Sequence, residues 1–316
     1  MKRLSVGFDT SCYTTSVACV SEEGIVFQKR TMLSVALGKR GLRQSEAVFQ
    51  HVRNLPPLVN SLFAAVSGAD VATVAVSVRP VDAADSYMPV FLAGKSTASA
   101  VSGALSVPLV ETVHQAGHVR AALFGNEQLM REPRILALHL SGGTTDVLSV
   151  GMEDGALGKI EALGGSDDLH AGQLVDRIGV KLGLPFPSGP SLERLAVAAA
   201  DTSVRIPSSV RGLTCSLSGA ESQAVRLLDG GADGGAVAFA VYDCISRTVH
   251  KLVENAMEAY GDCPVLLSGG VAGSALLRRL LSGRSRRRIF YAADGLSADN
   301  AVGAALIGLD WKSRHV

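Results

Sequence analysis

The sequence predicts an α/β protein built twice on one plan, and three observations carry that expectation. Short apolar strands alternate with helical segments along the whole chain. Each half opens alike, with a strand, a turn of small residues and a return strand, at 4–8, 11–14 and 16–20 and again at 134–140, 141–145 and 146–150. Finally, 316 residues that are 47% hydrophobic supply one large or two ordinary domains with ample core.

Taken in order, residues 4–8 alternate as a strand, 16–20 return, and 25–28 follow the Glu22-Glu23-Gly24 turn. Ser45 stands where an N-cap belongs, for a helix running towards residue 67 that Pro56-Pro57 is expected to interrupt. The run 71–78 reads as a buried strand, 90–105 as a small-residue helix and 108–111 as a short strand. The second half continues with a strand at 157–162 and helices at 172–182, 191–200 and 236–260. A strand at 265–267 and a final helix at 300–309 close the pattern. The stretch 229–235, rich in glycine, reads as a surface loop without chemistry.

Within this frame one run stands out, His114-Gln115-Ala116-Gly117-His118. On a helix, two histidines four apart share one face and can hold a divalent metal together. Alone, the pair fits two unrelated surface histidines equally well. A zinc protease helix requires a Glu after its first histidine as general base, and here that residue is Gln115. Double glycines follow two strands, Gly142-Gly143 and Gly269-Gly270, where bare backbone N–H groups can approach a phosphate chain. Either could also merely close a turn. Gly94-Lys95-Ser96 looks like the end of a P-loop, but the first glycine of that motif would fall on Pro89, which has no N–H to offer.

Composition narrows the class. The net charge is +1, so no global positive field marks a nucleic-acid binder. Five cysteines without Cys-x-x-Cys spacing suggest reduced thiols and a cytoplasmic protein. No apolar run is long enough to span a membrane, and the N-terminus is unlike a signal peptide.

Seven motifs in co-linear order resemble the TsaD family, the tRNA threonylcarbamoyl transferases formerly called glycoprotease-like proteins. Gly7-Phe8-Asp9-Thr10-Ser11-Cys12 resembles the family's G-I-E-T-S-C, and the histidine run its H-x-E-G-H. Ser141-Gly142-Gly143 matches S-G-G, Ala171 to Asp176 resembles A-G-E-A-F-D, and Phe186 to Pro190 resembles Y-P-G-G-P. Ser268 to Val271 looks like A-G-G-V and Asp299-Asn300 like the closing D-N.

The resemblance implies an α/β, actin-like (ASKHA) fold of two ribonuclease-H-like lobes that close on a nucleotide. The first lobe would comprise residues 1–112 plus 296–316, and the second 113–295 with the metal helix and helical insertions. Carried over by position, His114, His118 and Asp299 would hold one divalent metal, iron or zinc, and are the candidates for catalysis. The ligand would be an adenine nucleotide or acyl-adenylate. Ser141, Gly142 and Gly143 would meet its acyl-phosphate portion, Asp176 its ribose, Gly189 its nucleoside, and Gly269 and Gly270 its phosphates, with Ser274 beside them. The implied reaction is transfer of a threonylcarbamoyl group from its adenylate to the exocyclic amine of a tRNA anticodon-loop adenosine. The implied partners are tRNA and TsaB-like or other small subunits, with no membrane.

The chain also departs from the family pattern. Tyr13-Thr14 replaces an acidic pair, Ala116 a Glu, Thr144 a His, Ser274 an Asn and Glu221 a Lys. These changes suggest a diverged paralogue: a carbamoyl or acyl-adenylate transferase with another acceptor, or a non-catalytic nucleotide-binding partner of a true TsaD. The arginines at 278–279 and 284–288 read either as a solvated helix end or as a phosphate-binding strip. Glu46 and His51 are expected on the surface, Cys12 as a small buried filler, and Trp311 offers no stacking platform by itself.

Overall fold

A computed structural model describes residues 4–11, 13–35 and 42–315; Cys12 lies outside the described residues. The first sheet begins as an antiparallel meander of β1 (Leu4–Asp9), β2 (Thr14–Ser21) and β3 (Gly24–Met32). Helix α1 (Gln44–Ala65), strand β4 (Val71–Arg79), helix α2 (Phe91–Leu105), strand β5 (Leu109–Val113) and helix α3 (His114–Leu123) follow. Both β4 and β5 run parallel to β1, giving the order β3-β2-β1-β4-β5.

The second sheet repeats this plan. It contains β6 (Arg134–Leu140), β7 (Thr145–Glu153) and β8 (Ala156–Ser166), then helices α4 (Ala171–Lys181) and α5 (Gly189–Val197). Short strands β9 (Ser209–Arg211) and β10 (Thr214–Ser216) precede α6 (Ser218–Asp229) and α7 (Gly234–Tyr260). Strand β11 (Val265–Ser268), α8 (Ala275–Ser282), β12 (Ile289–Tyr291) and α9 (Val302–Arg314) complete the chain. The order β12-β11-β6-β7-β8-β10-β9 contains the first sheet's order with two strands added at one edge. In both sheets the first strand pairs antiparallel with the second and parallel with a later one.

The chain divides into two units, Met1–Phe124 with Asp154–Leu157 and Asp299–Val316, and Gly125–Glu153 with Gly158–Ala298. The expected boundary at 112/113 therefore moves to 124/125, and α3 belongs to the first unit. The reason is packing: α3 lies against α9, and a Cβ at Gly303 would sit 1.8 Å from the Gly117 carbonyl oxygen. Only a glycine at 303 lets the two backbones meet so closely, whereas a Cβ at Gly117 would make ordinary contacts at 3.8 Å. Helix α9 lies on the first sheet by the same device, since a Cβ at Gly7 would stand 2.4 Å from the Ala301 oxygen. Val6, Phe8, Val74, Val76, Leu55 and Leu62 fill that unit's core, while α7 is the buried spine of the second unit.

Pro56 and Pro57 do not interrupt α1, which is continuous for 22 residues. Both prolines are exposed, so the carbonyls of Val52 and Arg53 that lose their partners face water, while Leu55, Leu58 and Leu62 hold the opposite face in the core. The N-cap position is Arg43 rather than Ser45. Gly234 and Gly235, read as loop, open α7 behind the Asp233 cap. Among the described residues no helix is long and apolar enough to cross a membrane.

Candidate functional site

In the first unit β1, β4 and β5 are parallel, so their carboxyl ends share one edge of the sheet, where α/β folds bind ligands. Asp9 ends β1, and His114 begins α3 directly after β5. One turn of helix brings His118 beside His114, with 2.9 Å between their Nε2 atoms. Asp299 lies just before α9, whose packing on α3 brings its Oδ1 to 3.2 Å from His118 Nε2 and 3.7 Å from His114 Nε2. One donor atom from each of the three residues lies within 4.8 Å of the others. Asn300, beside Asp299, accepts from the Val302 N–H and orders the entry to α9.

Asp9 completes the cluster, a role the sequence reading did not assign. Its Oδ2 lies 2.9 Å from His114 Nδ1, and its Oδ1 accepts from the Ser11 backbone N–H and hydroxyl. Burial alone would lower the His114 pKa, but the Asp9 charge and hydrogen bond, with Asp299, raise it to about 9. Burial would raise Asp9, yet His114 and Ser11 hold its carboxyl well below the usual range. The same balance holds Asp299 low: burial is opposed by the His118 hydrogen bond and the His114 charge. A carboxylate on Nδ1 fixes the ring so that Nε2 faces the same point as the other two donor atoms, where a metal would take the place of the Nε2 proton, as in carboxylate–histidine–metal arrangements. Two imidazole nitrogens and a carboxylate oxygen converging this closely fit a divalent cation of the iron or zinc kind.

The second unit presents backbone rather than side chains. Ser141 ends its hairpin turn inward, its hydroxyl accepting from the Gly143 and Thr144 N–H groups at 3.2 and 3.0 Å. Gly142 and Gly143 are exposed, with nothing within 4 Å of a Cβ built on either. Gly269 is buried at φ +92°, and a Cβ there would lie 2.3 Å from the Leu140 oxygen, whereas Gly270 is open. Leu140 precedes Ser141 and also accepts from the Val271 N–H, so the two glycine turns sit side by side at the ends of the parallel strands β6 and β11. Buried His139 and Ser268, 3.0 Å apart, tie those strands together; the sequence singles out Ser268 only as the start of a motif and His139 not at all.

Asp176 on α4 accepts from the Ser188 N–H through Oδ1 at 2.7 Å, which fixes the start of α5 at Gly189. Its Oδ2 has no partner among the described residues, and burial raises its pKa. Ser274 is turned to structure: its hydroxyl caps α8 by accepting from the Leu277 N–H, and Glu193 takes the Leu276 N–H. Glu221 pairs with Arg177 at 3.0 Å. His51 is fully buried rather than on the surface, its Nδ1 2.8 Å from the Thr15 hydroxyl. Lys95 of the P-loop look-alike pairs with Glu111 at 2.7 Å.

A profile of the tRNA N6-adenosine threonylcarbamoyltransferases, TsaD, matches residues 34–306. The Sorangium cellulosum (strain So ce56) protein of that name is 34% identical over 90% of this chain and 83% of its own length. The Methanopyrus kandleri protein is 27% identical over 97% and 87%. Among solved structures, component A of Acidaminococcus fermentans (R)-2-hydroxyglutaryl-CoA dehydratase is similar with TM-score 0.58 and 16% identity, covering 98% of this chain and 99% of that one. T. kodakarensis HypF matches with TM-score 0.63 and 14% identity over 99% and 48%. A Streptomyces griseus ROK family glucokinase matches with TM-score 0.53 and 13% identity over 97% and 99%. These likenesses establish the α/β, actin-like (ASKHA) fold. The chain itself belongs to the tRNA N6-adenosine threonylcarbamoyltransferase family.

Proposed function

We propose that this chain transfers a threonylcarbamoyl group from its adenylate to the exocyclic amine of an adenosine in a tRNA anticodon loop. The observation that carries this reading is the convergence of His114, His118 and Asp299 in a chain of this family. In this reading those residues hold one divalent metal, iron or zinc, which when bound supplies a Lewis acid for the acyl carbonyl and its developing oxyanion. Asp9 keeps the His114 ring in register through Nδ1. The open backbone at Gly142, Gly143 and Gly270 admits the phosphate of the acyl-adenylate without a Cβ in the way. Asp176 uses its second carboxylate oxygen for a ribose hydroxyl, and Gly189 leaves room for the nucleoside. Ser141 shapes the phosphate turn, Gly269 holds the second turn against Leu140, and Ser274 supports the site through α8. A TsaB-like or other small subunit and tRNA are the partners, and the cytoplasm is the location.

A second reading, acyl-adenylate transfer to a different acceptor, is favoured by Glu221. It stands at the family's lysine and is bound to Arg177, next to Asp176 in sequence. The decisive measurement is mass spectrometry of tRNA nucleosides from cells with and without the gene. Single-turnover transfer from threonylcarbamoyl adenylate, with partner subunits supplied, accompanies it. Loss of threonylcarbamoyladenosine on deletion and transfer in vitro support the first reading; unchanged nucleosides and no transfer, with nucleotide and metal binding intact, point to another acceptor or to a non-catalytic role. Asp176→Ala should weaken adenine-nucleotide binding about tenfold, as for a lost charge-assisted hydrogen bond of roughly 1.5–3 kcal/mol. An unchanged Kd by calorimetry removes the ribose assignment.

A further inference from the structure

The six arginines between residues 278 and 288 divide into two groups once the chain is folded. Arg284 is spent on the interior, paired with buried Asp243 and bonded to Ser246. Arg287 is paired with Glu254 and Asp262 on α7 and just after it. Arg278, Arg279, Arg286 and Arg288 have no carboxylate partner among the described residues. Four uncompensated charges on one short segment contrast with a whole-chain net charge of +1.

Their surroundings are those of a binding surface. Arg278, Arg279 and Arg288 line an open cleft of about 530 Å³ together with Arg287, Ser282 and Tyr291. Arg278 is braced, its guanidinium bonded to the Ala272 and Ala292 carbonyls and laid 4.8 Å over the Tyr291 ring. Arg288 lies 4.7 Å over Phe290, while Arg279 and Arg286 extend into solvent. A guanidinium held in place by carbonyls and a ring keeps its charge and loses little freedom on binding an anion. Of the serines lining the cleft, Ser282 gives its proton to the Arg279 carbonyl, while the Ser285 hydroxyl accepts from the Arg287 N–H and so keeps its own proton for an anion. The cleft lies at β12, the edge strand of its sheet, and is open enough to track a chain rather than enclose a small molecule.

We infer that this arginine cleft binds the phosphodiester backbone of RNA, and so grips the body of the tRNA acceptor. The inference rests on the tRNA reading above. Its test is fluorescence anisotropy of a labelled tRNA transcript titrated with the full chain across a salt series. The wild type is compared with the triple variant Arg279→Ala, Arg286→Ala, Arg288→Ala and with the single variant Arg279→Glu. These side chains are exposed and hold no ion pair among the described residues, so folding is checked simply by an unchanged Tm. The expected result is at least a tenfold weaker Kd in the triple variant and a salt slope reduced by about 2–3, one unit or slightly less per lost phosphate contact. Binding of adenine nucleotide should stay unchanged. Equal tRNA affinity and slope in wild type and variants would overturn the cleft. So would a wild type that binds no tRNA. Wild-type tRNA binding lost in the variants, without any modified nucleoside in cells, would leave the cleft standing and sink the transfer reading instead.

Discussion

At the end of β1 the chain turns through Asp9, Thr10 and Ser11; at the end of β6 it turns through Ser141, Gly142 and Gly143. The two hairpins occupy the same place in a duplicated topology, each beside the carboxyl ends of parallel strands. In the first unit that place is filled by a buried carboxylate that orients a histidine. In the second it is stripped of side chains and left open. One plan thus serves two chemistries, because the strand ends supply position only, and the residues placed there decide between side-chain ligands and bare backbone.

The strongest way to break this comparison is to remove a side-chain ligand. His118→Ala and Asp299→Ala should each reduce metal from one per chain to none, measured on purified folded protein. Equal metal content in wild type and both variants would rule out the cluster as a metal centre.

The glycine region should respond differently at neighbouring positions. Gly269→Ala forces a side chain into a left-handed backbone and against the Leu140 carbonyl. It should cost about 3 kcal/mol or more in denaturant unfolding. Gly142→Ala meets nothing and should leave the midpoint nearly unchanged while weakening nucleotide binding. If both variants unfold alike, openness is not what distinguishes that turn.

The Asp9–His114 pair sharpens the comparison through pH. The His114 pKa rises from 6.5 to about 9 on folding, so the pair's contribution is whole below 6.5 and lost as pH rises through 9. In chelator-treated protein, unfolding free energy should fall by on the order of 3 kcal/mol across that window. Asp9→Asn should flatten the profile. It should also cost about 10–100-fold in metal affinity, as such supporting carboxylates do. A wild-type profile flat from pH 6.5 to 9 would show that Asp9 does not hold the ring charged.

Much of this was legible before folding. The meanders, the histidine helix and the strand–glycine turns follow from periodicity and turn chemistry, which are local. Of α8 the sequence shows only a solvated, arginine-rich end, and the buried face of Leu276, Leu277 and Leu281 emerges in the fold. His51 was misjudged because its burial depends on Thr15, 36 residues away.

What the sequence determined alone was the alternation of the main strands and helices and the residue types at the ends of the two meanders, not every element: α6 and α8 emerge only in the fold. The spacing of His114 and His118 is a property of one helix and needs nothing distant. Only the tertiary structure decided that Asp9 and Asp299, 290 residues apart, meet those rings, since that depends on sheet register and on α9 packing against α3 through Gly117 and Gly303. It alone decided which arginines of one run pair with carboxylates and which do not, because those carboxylates lie on α7 and just after it. Local propensity acts over a few residues, whereas convergence and neutralisation arise from contacts the chain makes only after its cores have formed.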